Sequence, residues 1–178
     1  MSAPLLSAAM LREQGYERHE APGFLNVLGV SVQESTLSLL HARWDIYERG
    51  VLGTDPDAEV ISIIVLEEIL QKPLHRMTED PFDLTKRARG RMQGIPGCQG
   101  TLVAIDLGGS DAGGEGYLLG SQIRSEMREG VFPLRTVSDA DLPAPTYDGS
   151  HRAWKMSPEA LTGALAARAA ARQVLISD

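Results

Sequence analysis

The chain has 178 residues, 43% of them hydrophobic and 23% charged, with a formal net charge of −7. That is enough for one domain with its own core, and it excludes a wholly disordered or fibrous chain. The acidic balance argues against a nucleic-acid-binding domain, and the composition is of a bacterial or phage-like kind. Cys98 is the single cysteine, so counting excludes an intrachain disulfide and a cysteine-built zinc site. The N-terminal residues have neither the basic nor the apolar stretch of a secretory signal. The longest apolar run, Ile63–Leu66, is far short of the roughly 20 residues that span a bilayer. These features predict a soluble, cytoplasmic protein without membrane contact.

Residues 3–14 read as a short helix with Leu5, Leu6, Ala9 and Met10 on one side and Gly15 as its stop, followed by a polar connector at Pro22-Gly23. Ser31 and Glu34 have capping-box spacing, and Leu37, Leu40, Trp44 and Tyr47 recur at helical spacing up to Gly50. They predict an amphipathic helix. Thr54-Asp55-Pro56-Asp57 opens a further segment that Pro73 ends. Its VISIIVL run is apolar on every side, which leaves a buried strand open, but its acidic flanks favour a buried helix. A third helix is expected after Thr78, through PFDLTKRARGRM.

Gly94, Pro96, Gly97 and Gly100 then break the pattern. Thr101–Asp106 and Val131–Val137 read as strands, Pro133 suggesting an edge or an irregular start, and Gly116–Gly120 reads as a strand between them. Ser138–Ser150 reads as an extended linker, and Ser157-Pro158-Glu159 opens an alanine-rich terminal helix. The expectation is an α+β fold: a helical N-terminal half, a small antiparallel sheet around 100–137 and a C-terminal helix. Its units would be an arm or short helix at 1–20, a globular domain at 24–137, a linker at 138–156 and the helix at 157–178.

Val103-Ala104-Ile105-Asp106-Leu107-Gly108-Gly109-Ser110 resembles the first phosphate loop of the actin, hexokinase and sugar-kinase superfamily. The resemblance implies that Gly108, Gly109, Ser110 and Asp111 hold a phosphate or other anion while Asp106 addresses a metal or its waters. It is confined to those residues. Less than half of the chain follows Asp106, and the second phosphate loop and adenosine motif are absent, so the family is not carried over. The alternative is a glycine-rich connection between two strands. Asp106, Asp111 and Glu115 lack the spacing of a calcium loop, and no metal ligand set is assigned.

Arg76, Lys86, Arg87, Arg89 and Arg91 form the one local basic excess, a contact surface for phosphate, nucleic acid or an acidic protein face, or else a solvated helix face paired with Glu79, Asp80 and Asp83. With only Phe82 nearby, the stretch lacks the aromatics that base stacking needs. His19, His41, His75 and His151 form no metal-binding pattern. His41 lies one turn from Trp44, and Cys98 sits in a Pro-Gly-Cys-Gln-Gly turn that could expose a thiolate. Asp106, Cys98 and His41 are therefore the candidate catalytic residues, and no cofactor is assigned. The expected function is a non-enzymatic accessory, adaptor or structural subunit acting through protein contacts or self-association. The alternative is a small enzyme or ligand-binding domain that uses the 106–116 loop to hold an anion.

Overall fold

The computed structural model describes residues 13, 15, 17–18, 24–49, 59–107, 114–137, 142 and 144–176. A two-residue strand, β1 (Glu17–Arg18), precedes β2 (Phe24–Gln33), β3 (Thr36–Arg49) and β4 (Glu59–Pro73). A 3-10 turn (Leu74–Arg76) leads to α1 (Pro81–Gln93), β5 (Cys98–Asp106), α2 (Glu115–Met127) and β6 (Val131–Thr136). A small hairpin, β7 (Thr146–Asp148) and β8 (Ala153–Met156), is followed by α3 (Pro158–Ala170) and β9 (Val174–Ile176).

All strands join one mixed sheet in the order β7-β8-β6-β5-β2-β3-β4-β9, with β1 paired to the end of β3. β2, β3 and β4 form an antiparallel meander, whereas β5 runs parallel to β2, β6 to β5, and β8 to β6. The parallel connections carry α1 and α2 on one face, as a right-handed crossover demands. From β8 to β9 the chain travels back across the sheet, so the same rule puts α3 on the opposite face. Contacts agree: the Arg168 guanidinium of α3 lies 5.7 Å from the Trp44 ring, and Trp44 points away from α1 and α2.

The core lies between the sheet and the α1/α2 layer. Leu28 and Val30 of β2, Leu37 and Leu39 of β3, and Val103 and Ile105 of β5 meet Phe82, Leu84 and Met92 of α1 and Leu119 and Ile123 of α2. Each fully buried side chain of this kind contributes about 1.5–3 kcal/mol. Asp80 caps α1 by accepting a hydrogen bond from Phe82 N at 2.8 Å, with Pro81 in the first turn. Ser157 caps α3 likewise, accepting from Ala160 N at 3.0 Å.

The helical N-terminal half and the small antiparallel sheet around 100–137 are both overturned: residues 24–73 form the meander, and the sheet is large and mixed. The Ser31/Glu34 signal marks a hairpin. Glu34 and Ser35 take φ of 49° and 55°, the pair of positive values that a two-residue type I′ turn requires. The VISIIVL segment is strand, in line with its β-branched residues. Gly116–Gly120 opens α2, because both glycines face the sheet: a Cβ on Gly120 would collide with Leu107, and one on Gly116 would lie 3.4 Å from Val32 O. Pro133 sits inside the sheet, but β6 pairs with β8 only from Leu134 onward. Within 138–156, residues 146–148 and 153–156 belong to the sheet. The helix at 81–93 and the strand at 131–136 lie where the sequence put them, and β5 starts at Cys98, ahead of the expected Thr101. The helix expected over 157–178 stops at Ala170, and Val174–Ile176 form β9, paired with β4. The helix expected at 3–14 falls almost wholly outside the described residues. No helix among the described residues is long and apolar enough to cross a membrane.

Candidate functional site

Along β2, Phe24, Asn26, Leu28 and Val30 alternate onto the helix-covered face. Asn26 is the one polar residue of that set and is fully buried, so its amide must be satisfied internally. Its Nδ2 donates to Met92 O at 2.9 Å, at the end of α1, and to Cys98 Sγ at 3.2 Å, at the start of β5. Its Oδ1 lies 2.9 Å from His41 Nε2. A carboxamide oxygen can only accept, so His41 Nε2 carries the proton and Nδ1 keeps its lone pair.

His41 lies opposite Glu68 in the β3–β4 pairing. Glu67, next to it, is an extra residue in β4, a bulge that turns the local strand. Here the strands, α1 and the residues after it enclose a cavity of about 220 Å³. Leu39, Leu70, Met92 and Ile95 make it apolar, and His41, Glu68 and Arg91 supply its polar atoms. Glu68 and Arg91 are exposed at its mouth, and among the described residues neither is held in an ion pair. Burial lowers the His41 pKa from 6.5, with Arg43 and Arg91 acting in the same sense and Glu67 and Glu68 opposing. The imidazole is therefore neutral at neutral pH. Beside the cavity, Arg43 is committed to Asp45 at 2.7 Å and Glu67 at 3.3 Å, with its guanidinium 5.3 Å from the Phe24 ring.

Two candidate catalytic residues, His41 and Cys98, thus meet around Asn26, and Arg91 of the basic stretch joins His41 at the cavity. The thiol and the imidazole do not bond each other. Asn26 stands between them, and Cys98 Sγ donates to Gly100 O at 3.3 Å. A nucleophile and its base need a direct hydrogen bond or one through water, whereas an amide held at both ends fixes positions.

The other expected residues lie elsewhere. Asp106 ends β5, about 26 Å along the strand from Cys98. Gly108, Gly109, Ser110 and Asp111 fall outside the described residues. Beside the start of α2, a hollow of about 240 Å³ has only the acids Asp80 and Glu115 as charged liners, which disfavours an anion there. The basic residues scatter. Arg87 pairs with Glu79 at 2.6 Å, Arg89 donates to Glu129 O at 2.9 Å, and Arg76 and Lys86 are exposed.

A serine–histidine–aspartate set occupies the β7–β8 turn, with Ser150 and His151 exposed and Asp148 partly buried. Ser150 Oγ and His151 Nδ1 both point at the Asp148 carboxylate, at 2.6 and 2.8 Å, and Lys155 Nζ lies 3.1 Å from it. Bonds from Ser150, His151 and Lys155 hold the Asp148 pKa well below the ordinary carboxylate range. Because the serine and the aspartate share one imidazole nitrogen, this is a turn staple and not a triad. Among the described residues no group of three His, Cys, Asp or Glu could hold a metal ion.

Sequence reasoning missed Asn26 and Glu68. Asn26 stands out as a lone polar residue on an apolar strand face only once residues 24–33 are read as a strand with period two. No protein-family model, curated protein or solved structure matches this chain.

Proposed function

We propose that the protein binds a small molecule with an aliphatic body and a zwitterionic head, of the class of branched-chain amino acids, in the cavity between β3, β4 and α1. The observation that carries this is the polar triplet over an apolar floor: neutral His41, anionic Glu68 and cationic Arg91. A cavity of about 220 Å³ has the volume of on the order of seven liquid waters, room for one such molecule. Arg91 would take the carboxylate, Glu68 the ammonium, and His41 Nδ1 one ammonium N–H. Asn26 fixes the imidazole that accepts it.

Thermal unfolding with leucine, isovalerate and isoamylamine tests the reading, since each control carries half of the head group. Leucine should raise the midpoint, by the equivalent of about 2.7 kcal/mol at a hundred times its dissociation constant. The two controls should act far less, and Arg91→Ala and Glu68→Gln should each weaken leucine binding at least tenfold. Equal effects of all three probes, or none from leucine, would remove the proposal.

A subunit working through protein contacts is the second reading. It is favoured by a separate observation, the exposed apolar residues on the sheet face opposite α1 and α2.

A further inference from the structure

On the face away from α1 and α2, the strands carry an almost charge-free surface. Leu25, Trp44, Ile69, Phe132, Tyr147 and Trp154 project from it and remain between 36 and 65% exposed. Between them the register places Val27, Gly29, Leu40, Leu102, Ala104 and Leu134 on the same face. By the strand register the Asp, Glu, Lys, Arg and His residues assigned to this face stand at its ends: Asp106 at the end of β5, and Glu48 with its partner Glu17 where β1 pairs the end of β3.

α3 crosses this surface. β8 and β9 lie six strand steps apart, about 29 Å, and a 13-residue helix spans about 20 Å of that. None of its residues is buried, although from Ala160 to Ala167 it carries no charge on any side. Leu161 and Leu165 are 37 and 51% exposed. A helix apolar all round belongs in an interior. This one is held at its ends, by the Ser157 cap and by Arg168 on Trp44 and Ser62.

We infer that the sheet face and α3 together form the contact surface of a homodimer, with a second copy of this chain as the occupant. The inference rests on the protein-contact reading above and adds the partner. Area and charge carry it. The eight large exposed residues together leave on the order of 700 Å² accessible, close to what one partner gives to a standard stable interface. A two-fold contact sets each residue near the axis against its own counterpart. In a protein of net charge −7, a patch whose acids stand only at its ends is where two copies meet with little repulsion. The glycine and alanines of α3 let the two helices approach closely. An anionic membrane would need basic residues flanking the apolar face, and Arg168 is already engaged with Trp44.

Sedimentation equilibrium of the full chain over two decades of concentration, beside Leu165→Glu, is the test. The wild type should be a dimer that dissociates on dilution, and Leu165→Glu should weaken dimerisation at least tenfold. Leu165 is exposed, so far-UV circular dichroism and the melting point of the dilute variant should match those of the monomeric wild type. A wild type monomeric at every concentration, or a Leu165→Glu protein of unchanged mass, overturns the inference. Monomers that dimerise only after deletion of residues 1–12 would overturn it too, by making those residues the occupant. A monomer that binds a different protein through Leu165 would overturn the homodimer and leave the contact surface standing.

Discussion

At His41 a hydrogen bond fixes the tautomer and burial shifts the titration. Its Nε2 proton is fixed by Asn26 Oδ1 at 2.9 Å, and burial, its largest perturbation, lowers its pKa below 6.5. As pH falls through 6.5, the unfolded chain takes up this proton before the folded one does. His41 therefore contributes a loss of stability that begins near pH 6.5 and levels off below the folded pKa. In His41→Gln an amide N–H can still reach Asn26 but nothing titrates. Urea midpoints between pH 5 and 8 should depend less on pH in that variant, and an unchanged slope would assign the effect to other histidines. Leucine affinity in the wild type should fall over the same window, because an imidazolium repels the ammonium it is proposed to receive. His41 was visible in the sequence as a candidate. Its partner Asn26 was not, because its meaning depends on Met92 and Cys98, far away in the chain.

Along β3, the spacing of apolar residues fits a helix as well as a strand. Positions 37 and 39 face the α1/α2 core while 38, 40, 42 and 44 face the other side, and with apolar residues on both sides a strand shows no alternation. Leucines three and four apart then imitate a helix. The Glu34-Ser35 turn hid the hairpin, since neither residue is the Gly or Asn that commonly marks it. The reverse error came at α2, where Gly116 and Gly120 resembled strand punctuation but let the helix sit close to β5. This glycine role is testable by contrast. Gly120→Ala places a Cβ against Leu107 and 3.1 Å from Ile105 Cγ2, and overpacking of this kind costs about 1–3 kcal/mol. Gly90→Ala, in an exposed turn of α1 with nothing within 4 Å, should instead stabilise by about 0.5–1 kcal/mol. Urea unfolding should move the two midpoints in opposite directions with m unchanged. If both variants move the same way, helix propensity and not helix–sheet spacing governs Gly120.

Across the whole molecule the two faces of the sheet are unequal. The α1/α2 side holds the core cluster, whereas α3 buries none of its residues and carries the chain back to the far edge. There β9 pairs Val174–Ile176 with Ile64–Leu66 of β4, and Val174 is 5% exposed. Without β9, β4 would be the edge, with its β-branched Ile63-Ile64-Val65 segment unpaired on one side, the kind of strand that recruits another chain. Deleting residues 172–178 should therefore leave the core intact while exposing a template for association. The expected outcome is a dilute protein whose near-UV circular dichroism matches the full chain and whose melting midpoint falls only modestly, since about one buried side chain's worth of stability is lost. On concentration it should aggregate with rising thioflavin fluorescence, where the full chain stops at a defined stoichiometry. Placing a lysine at Ile64 in the truncated chain should suppress that aggregation, because a charge on the bare edge blocks strand addition. A truncated chain that stays as soluble as its parent would mean that α3, and not β9, guards this edge.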